Sequence, residues 1–239
     1  MYRNRPAPRF GLRFGLVGMA LVLAAFAIGF SLIHSSLPYP GPRDVLGETT
    51  TELQSIIVRA RNSALAGGHP VAVLFYPHFA SDSQRRGRIV VYEDACQDFF
   101  TRALACGVSY ASYDPATLPQ GHVGTLRSKV LETMDLPADI IVEGTAGGTL
   151  PGPFSDIGAN VGCSFCGTCG GAVRFDSDGH LKFYSLSDGV VAGPLAVRSG
   201  GSLVLGVEAR SVSDIATERA LRRALIILSS GAVMTMNAR

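Results

Sequence analysis

Residues 14–33 read FGLVGMALVLAAFAIGFSLI, twenty positions without a charge. At ~1.5 Å rise per residue, such a run covers a bilayer core of roughly 30 Å as a helix. Arg3, Arg5, Arg9 and Arg13 stand before it. Positive charge favours the cytoplasmic side, which predicts residues 1–13 as a cytoplasmic basic leader and 14–34 as a transmembrane helix. Residues 35–239 then form an extracytoplasmic body. A cleaved signal peptide is the competing reading, but its apolar region is usually ~7–15 residues and ends at a small-x-small site. SSLPYPGPR at 35–43 offers no clean site of that kind and instead breaks the helix with Pro and Gly.

The body is long enough to bury a core without metal or disulfide support. Charged residues make up 17% of the chain and apolar ones 47%, which excludes a disordered chain. The formal net charge of +2 is too small to argue for nucleic acid. Within the body the hydrophobic period changes once. Leu46, Leu53, Ile56, Ile57, Ala60, Ala64 and Leu65 recur at spacings of three, four and seven, which predicts an amphipathic helix over 44–66. Asp44 is its expected N-cap, and Gly67 and Gly68 end it. Leu53, Ile56 and Ile57 are the expected core residues, with Ala60 allowing close approach.

After the helix the pattern is that of strands, in a β domain over 70–239. Runs rich in β-branched and aromatic residues lie at 71–77, 88–94, 139–144, 172–179, 203–209 and 224–236. Residues 81–87 read as a polar turn, and Ser230-Gly231 as the turn of a terminal hairpin. One anchor, one amphipathic helix and a mostly antiparallel sheet make an α+β protein.

That order resembles the pilin-like proteins, and local residues sharpen the match. Ala60-Arg61-Asn62-Ser63-Ala64-Leu65 followed by Gly68-His69-Pro70-Val71 is similar to the helix end and first strand of the GspH/FimT family of minor pseudopilins. Gly87-Arg88-Ile89-Val90-Val91 resembles the family's next strand. Val173-Arg174-Phe175, running into Gly179, is similar to its Phe-x-x-x-Gly turn, and the ending through Ser230-Gly231 to its terminal strand and turn. The resemblance implies a pilin-like fold and a structural subunit of a type II secretion pseudopilus or type IV pilus. It implies no enzymatic activity, cofactor or small-molecule substrate. The partners it implies are other pseudopilins or pilins through the N-terminal helix, and the inner membrane, with the body periplasmic or in an extracellular filament. The N-terminus departs from the family pattern of a Gly-Phe processing site and a Glu at the fifth mature position. Gly11 precedes Leu12 and Gly15 precedes Leu16, so cleavage after either glycine would leave Leu16 or Ala20 fifth. Some FimT-like members use an Arg-rich C-terminal loop on DNA. SSGAVMTMNAR carries only Arg239, so no nucleic acid is expected.

Cys163, Cys166 and Cys169 sit in the glycine-rich segment GCSFCGTCGG. Three thiolates with His180 are one ligand set for a tetrahedral zinc, and one Cys-x-x-Cys pair is a candidate dithiol. Outside the cytoplasm, structural disulfides are the expected state. Cys96 and Cys106 complete the candidates for bridging. The count of five leaves at least one thiol free or joined to another chain. A membrane-tethered metal-binding or thiol-redox module on Cys163, Cys166 and Cys169 is therefore the alternative to the structural subunit. His34, His69, His78 and His122 are scattered and suggest no ligand pair. Glu93, Asp94 and Asp98 read as a solvated acidic turn rather than a calcium loop, and Arg85, Arg86 and Arg88 as a solvated basic hairpin tip.

Overall fold

The computed structural model describes residues 19, 22–24, 26, 41–79, 87–101, 108–117, 128–142, 162–195, 200–208 and 222–237. The chain divides into two compact units, Met1–Gly41 and Pro42–Arg239. In the first, Met19, residues 22–24 and Phe26 are helical and exposed. The rest of the expected membrane helix at 14–34 lies outside the described residues. Among the described residues no helix is long and apolar enough to cross a membrane.

The second unit opens with helix α1, Pro42–Gly67. It begins two residues before the expected N-cap. Pro42 takes the first helical position, where its missing N–H costs nothing, and Asp44 lies inside the first turn, near the positive end of the dipole. Thr49, Thr50 and Thr51 turn their hydroxyls onto the carbonyls of Val45, Leu46 and Gly47, so three β-branched residues in a row stay helical. Gly68 ends the helix at φ +67°, its N–H donating to the Ala64 carbonyl at 3.1 Å. Leu46, Leu53, Ile56, Ile57, Ala60 and Ala64 are buried as the periodicity requires. Leu65 is not; it is 47% exposed.

Ten strands follow. A six-stranded sheet runs β3-β2-β1-β5-β6-β7: β1 Val71–Tyr76, β2 Arg88–Glu93, β3 Lys129–Asp135, β5 Gly170–Phe175, β6 Leu181–Ser187 and β7 Val190–Ala192. A four-stranded sheet runs β10-β9-β8-β4: β4 Ile140–Val142, β8 Gly200–Val207, β9 Arg222–Leu228 and β10 Val233–Asn237. Every pairing is antiparallel. The mixed fold, mostly antiparallel with one long helix, agrees with the α+β expectation. β5 stops at Phe175, so 176–179 is a turn rather than strand. The expected run at 224–236 is the hairpin of β9 and β10 around Ser230 and Gly231. β3, β6 and β7 were not anticipated. Of the expected polar turn at 81–87, only Gly87 is described.

The six-stranded sheet is buried on both faces. On one face Val73, Phe75, Val173 and Phe175 pack with the inner stripe of α1 and with Leu203, Leu205, Leu225 and Ile227 of the smaller sheet. On the other, Ala72, Leu74, Val90, Tyr92 and Tyr184 lie under Phe99, Phe100, Tyr110 and Tyr113, an aromatic cover whose described residues lie in turns, irregular backbone and the short 3-10 helix Tyr110–Ser112. Continuous burial along β1 and β5 follows from this double cover.

Candidate functional site

The three clustered cysteines sit where the two sheets meet. Residues 162–164 lie along β8: Val204 N–H donates to the Gly162 carbonyl, Ser164 N–H to the Ser202 carbonyl at 2.9 Å, and Cys163 bridges Leu203. Phe165 then plunges into the core against Phe75 and Phe183, at 5.4 and 5.2 Å between ring centres. A tight turn follows, closed by Gly167 N–H on the Gly170 carbonyl at 2.7 Å, and it delivers the chain into β5. Cys163 and Cys166 are joined in a disulfide across a Cα separation of 5.3 Å. The bond therefore links a segment held by the smaller sheet to a turn that opens a strand of the larger one. Gly171 is required beside it, since a Cβ there would come within 2.8 Å of Cys166 Sγ. Cys169, at the turn's exposed tip, is a free thiol.

This oxidation state bears on the zinc reading. Two of the three sulfurs are bonded to each other, and a disulfide sulfur is not a thiolate ligand. His180 is exposed beside Asp178, in the turn after β5. Among the described residues no group of three or more His, Cys, Asp or Glu side chains could hold a metal ion. Cys96 is also disulfide-bonded, and Cys106 lies outside the described residues.

A second convergence involves the residues that carry the family resemblance. Ala60, Ala64, Pro70 and Phe175 are buried around the C-terminal end of α1. Gly231, at φ +79°, sits on Arg61: a Cβ there would fall 2.9 Å from Arg61 Nε. Gly179, at φ +85°, sits on Leu65, with a Cβ position 3.2 Å from Leu65 Cδ2. Two turns far apart in the chain thus clasp one helix end, and Gly68 provides the helix stop between them. Gly87 stays outside this group; it lies at the β1–β2 connection against Leu136.

No protein-family model, no curated protein and no solved structure matches this chain.

Of the acidic and basic turns expected at the surface, Arg85 and Arg86 lie outside the described residues, while Asp94, Asp98 and Arg88 are not solvated. Asp94 is fully buried and Asp98 nearly so. Arg174 of β5 reaches Asp94 at 3.7 Å and Asp176 at 2.9 Å, and Lys182 of β6 closes on Asp176 at 2.5 Å. The Arg174 guanidinium also lies 5.8 Å from the Phe100 ring centre, within cation–π range. Burial raises the Asp94 carboxyl above the usual range, with Arg174 pulling it back down. Arg88 belongs to β2 rather than to a hairpin tip. Its guanidinium grips both carboxylate oxygens of Asp135 at 2.6 and 2.9 Å and the Pro115 carbonyl at 2.6 Å, and lies 4.2 Å from the Phe79 ring centre. These two arginines tie the aromatic cover to the sheet. Position in a strand hides both roles from sequence patterns.

The aromatic cover gives a measurable pH signature. Burial raises Tyr76, Tyr110 and Tyr113 well above the ordinary phenol value, raises Tyr184, and pushes Tyr92 up to about 12. A phenol raised in the folded state contributes stability that is complete below its unfolded value, about 10, and lost as pH climbs through the folded value. Residues 42–239 contain only these five tyrosines. In an alkaline titration of that unit, no phenolate absorbance should grow in near pH 10 while the circular dichroism stays native. The band should instead rise together with unfolding at higher pH. A phenolate signal titrating around 10 in the folded state would show that the cover is open to solvent.

Proposed function

We propose that the chain is a structural subunit of the minor-pseudopilin kind, acting in a type II secretion pseudopilus or a type IV pilus. It would be tethered in the inner membrane by residues 14–34, with its body on the periplasmic side or in a filament. The observation that carries the reading is the clasped end of α1. Residues that resemble the GspH/FimT pattern, scattered from Ala60 to Gly231 and with Gly87 apart, meet there to fix a long helix onto a β body. The inner stripe of α1 is thereby committed to its own domain. Its outer face carries Asp44, Glu48, Glu52 and Arg59 beside Arg223, along a shallow groove of about 780 Å³. That face is polar and charged, suited to packing beside other helices rather than to chemistry.

The test is crosslinking in membranes. Full-length protein carrying Thr51→Cys or Ser55→Cys, in a Cys169→Ser background, should give adducts with a second pilin-like chain identified by mass spectrometry. Removing residues 1–41 should abolish them. Full-length protein that stays monomeric in the membrane at every probed position of α1 would refute the reading. Recovery of all five thiols free, with about one zinc per chain, would favour the metal module instead.

A further inference from the structure

We infer that Cys166 is a sulfur shared between two alternative disulfides, and that Cys169 is the thiol that moves the bond. Three cysteines stand at equal spacing, with Cys163 and Cys166 joined and Cys169 free. The rings closed by Cys163–Cys166 and by Cys166–Cys169 each span two intervening residues, so loop-closure entropy favours neither. The choice between them falls to local contacts.

Those contacts place the free thiol near its target. The 2.7 Å bond from Gly167 to Gly170 folds the chain back, and Cys166 Sγ lies against Gly171 on the returning limb. Cys169 is two residues before Gly171, in the connecting turn, and three residues from Cys166. A separation of three residues is one that a disulfide already closes here, between Cys163 and Cys166 at a Cα separation of 5.3 Å, inside the ~4.4–6.8 Å range of such bonds. The side chains of Thr168 and Cys169 are exposed, while Cys169 N–H donates to the Leu186 carbonyl at 2.9 Å and Thr168 N–H to Ser187 Oγ at 3.0 Å, so the approach falls to the Cys169 side chain and to bending of these two bonds. The buried hydroxyl of Tyr110 points to the same turn. It lies 3.4 Å from the Cβ position of Gly170, next to Cys169, and has no hydrogen-bond partner among the described residues. It is a donor available to the turn's sulfur or backbone once the tip moves.

The step balances without an outside oxidant. The Cys169 thiolate attacks Cys166 Sγ, the Cys166–Cys169 bond forms, and the Cys163–Cys166 bond breaks. Cys163 leaves as a thiolate and takes up the proton that Cys169 lost. The consequence is mechanical. Cys163 stays pinned to β8 by the hydrogen bonds of Gly162 and Ser164, while Cys166 stays with the turn that leads into β5. Exchange therefore removes the covalent link between the two sheets and confines it to one turn. The disulfide is a releasable staple, and the third cysteine is its release.

Non-reduced full-length protein, incubated over a range of pH, alkylated and digested with pepsin in acid, reads the exchange directly. At the start, the alkyl group should be on Cys169 and the crosslink between Cys163 and Cys166. With time, a fraction carrying alkylated Cys163 and a Cys166–Cys169 crosslink should appear, faster as pH rises because the thiolate attacks. Cys169→Ser, an exposed change outside the core, should eliminate Cys163 alkylation entirely. Alkylation confined to Cys169 at every pH and time would overturn the inference. So would Cys163 alkylation that persists in Cys169→Ser.

Discussion

A Gly200→Ala substitution is expected to destabilise the unit of residues 42–239 by about 3–5 kcal/mol, or to prevent its folding. Gly200 opens β8 at φ +143°, a region open to glycine and closed to side chains with a Cβ. A methyl group there would also lie 2.2 Å from the Ile227 carbonyl, a backbone atom of the neighbouring strand that cannot swing aside. Backbone strain of this kind costs on the order of 1–3 kcal/mol, and overpacking adds about the same. The next residue leaves no outlet for relaxation, because Gly201 is itself packed against Phe165 and Phe183. Gly67→Ala is the matching control. Gly67 is helical, and a Cβ there meets nothing within 4 Å. It should stabilise the unit by about 0.4–1 kcal/mol, through helix propensity and a less flexible unfolded chain. Urea denaturation of the pair should separate them by several kcal/mol. A Gly200→Ala variant within about 1 kcal/mol of wild type would mean that the strand start is not held in this conformation.

The helix is legible because it has a single burial direction, and the terminal hairpin because a continuous apolar run is broken by its turn residues. α1 shows its period in Leu53, Ile56, Ile57, Ala60 and Ala64, and only Leu65, at the helix end over the Gly179 turn, is exposed. β9 and β10 announce their turn through Ser230 and Gly231. β3 was hidden because it is an edge strand. Lys129, Glu132 and Asp135 guard it, as charges commonly guard strand edges, and that composition reads as loop. β7 is only three residues long. The aromatic cover was invisible for another reason: Phe99, Phe100 and Tyr113 pack from turns and irregular backbone and Tyr110 from a single-turn 3-10 helix, none of it long enough to show a period. Among the candidate site residues, the cysteine spacing marked the right segment but did not say which sulfurs pair. That depends on β8 capturing residues 162–164, a long-range event. The contact of Arg61 with Gly231 joins the two ends of the body and leaves no local trace.

The ion pairs under the aromatic cover show most sharply what local patterns miss, and they set the second large expected effect. Replacing Arg174 by Met should cost about 3–5 kcal/mol at neutral pH, the range for removing one partner of a buried pair. The side chains of Arg174 and Asp94 are 9% and 1% exposed. Met retains much of the packing over Phe100 but leaves Asp94 without its counter-charge, whereas Asp176 keeps Lys182. The loss should depend on pH in a defined direction. Burial already raises the Asp94 carboxyl, and losing Arg174 raises it further. A carboxyl raised in the folded state contributes stability that is complete below its unfolded value near 4 and is lost as pH rises through the folded value. The Arg174→Met variant should therefore be closest to wild type at acid pH and fall away from it as pH climbs above that of an ordinary carboxylate. Adding Asp94→Leu removes the stranded charge and should recover most of the loss at neutral pH, since replacing both partners of a buried pair is far milder than removing one. Denaturation curves for the two single variants and the double variant, each at acid and neutral pH, supply the coupling. Additive losses, or a deficit that does not change with pH, would show that Arg174 holds the cover by packing alone.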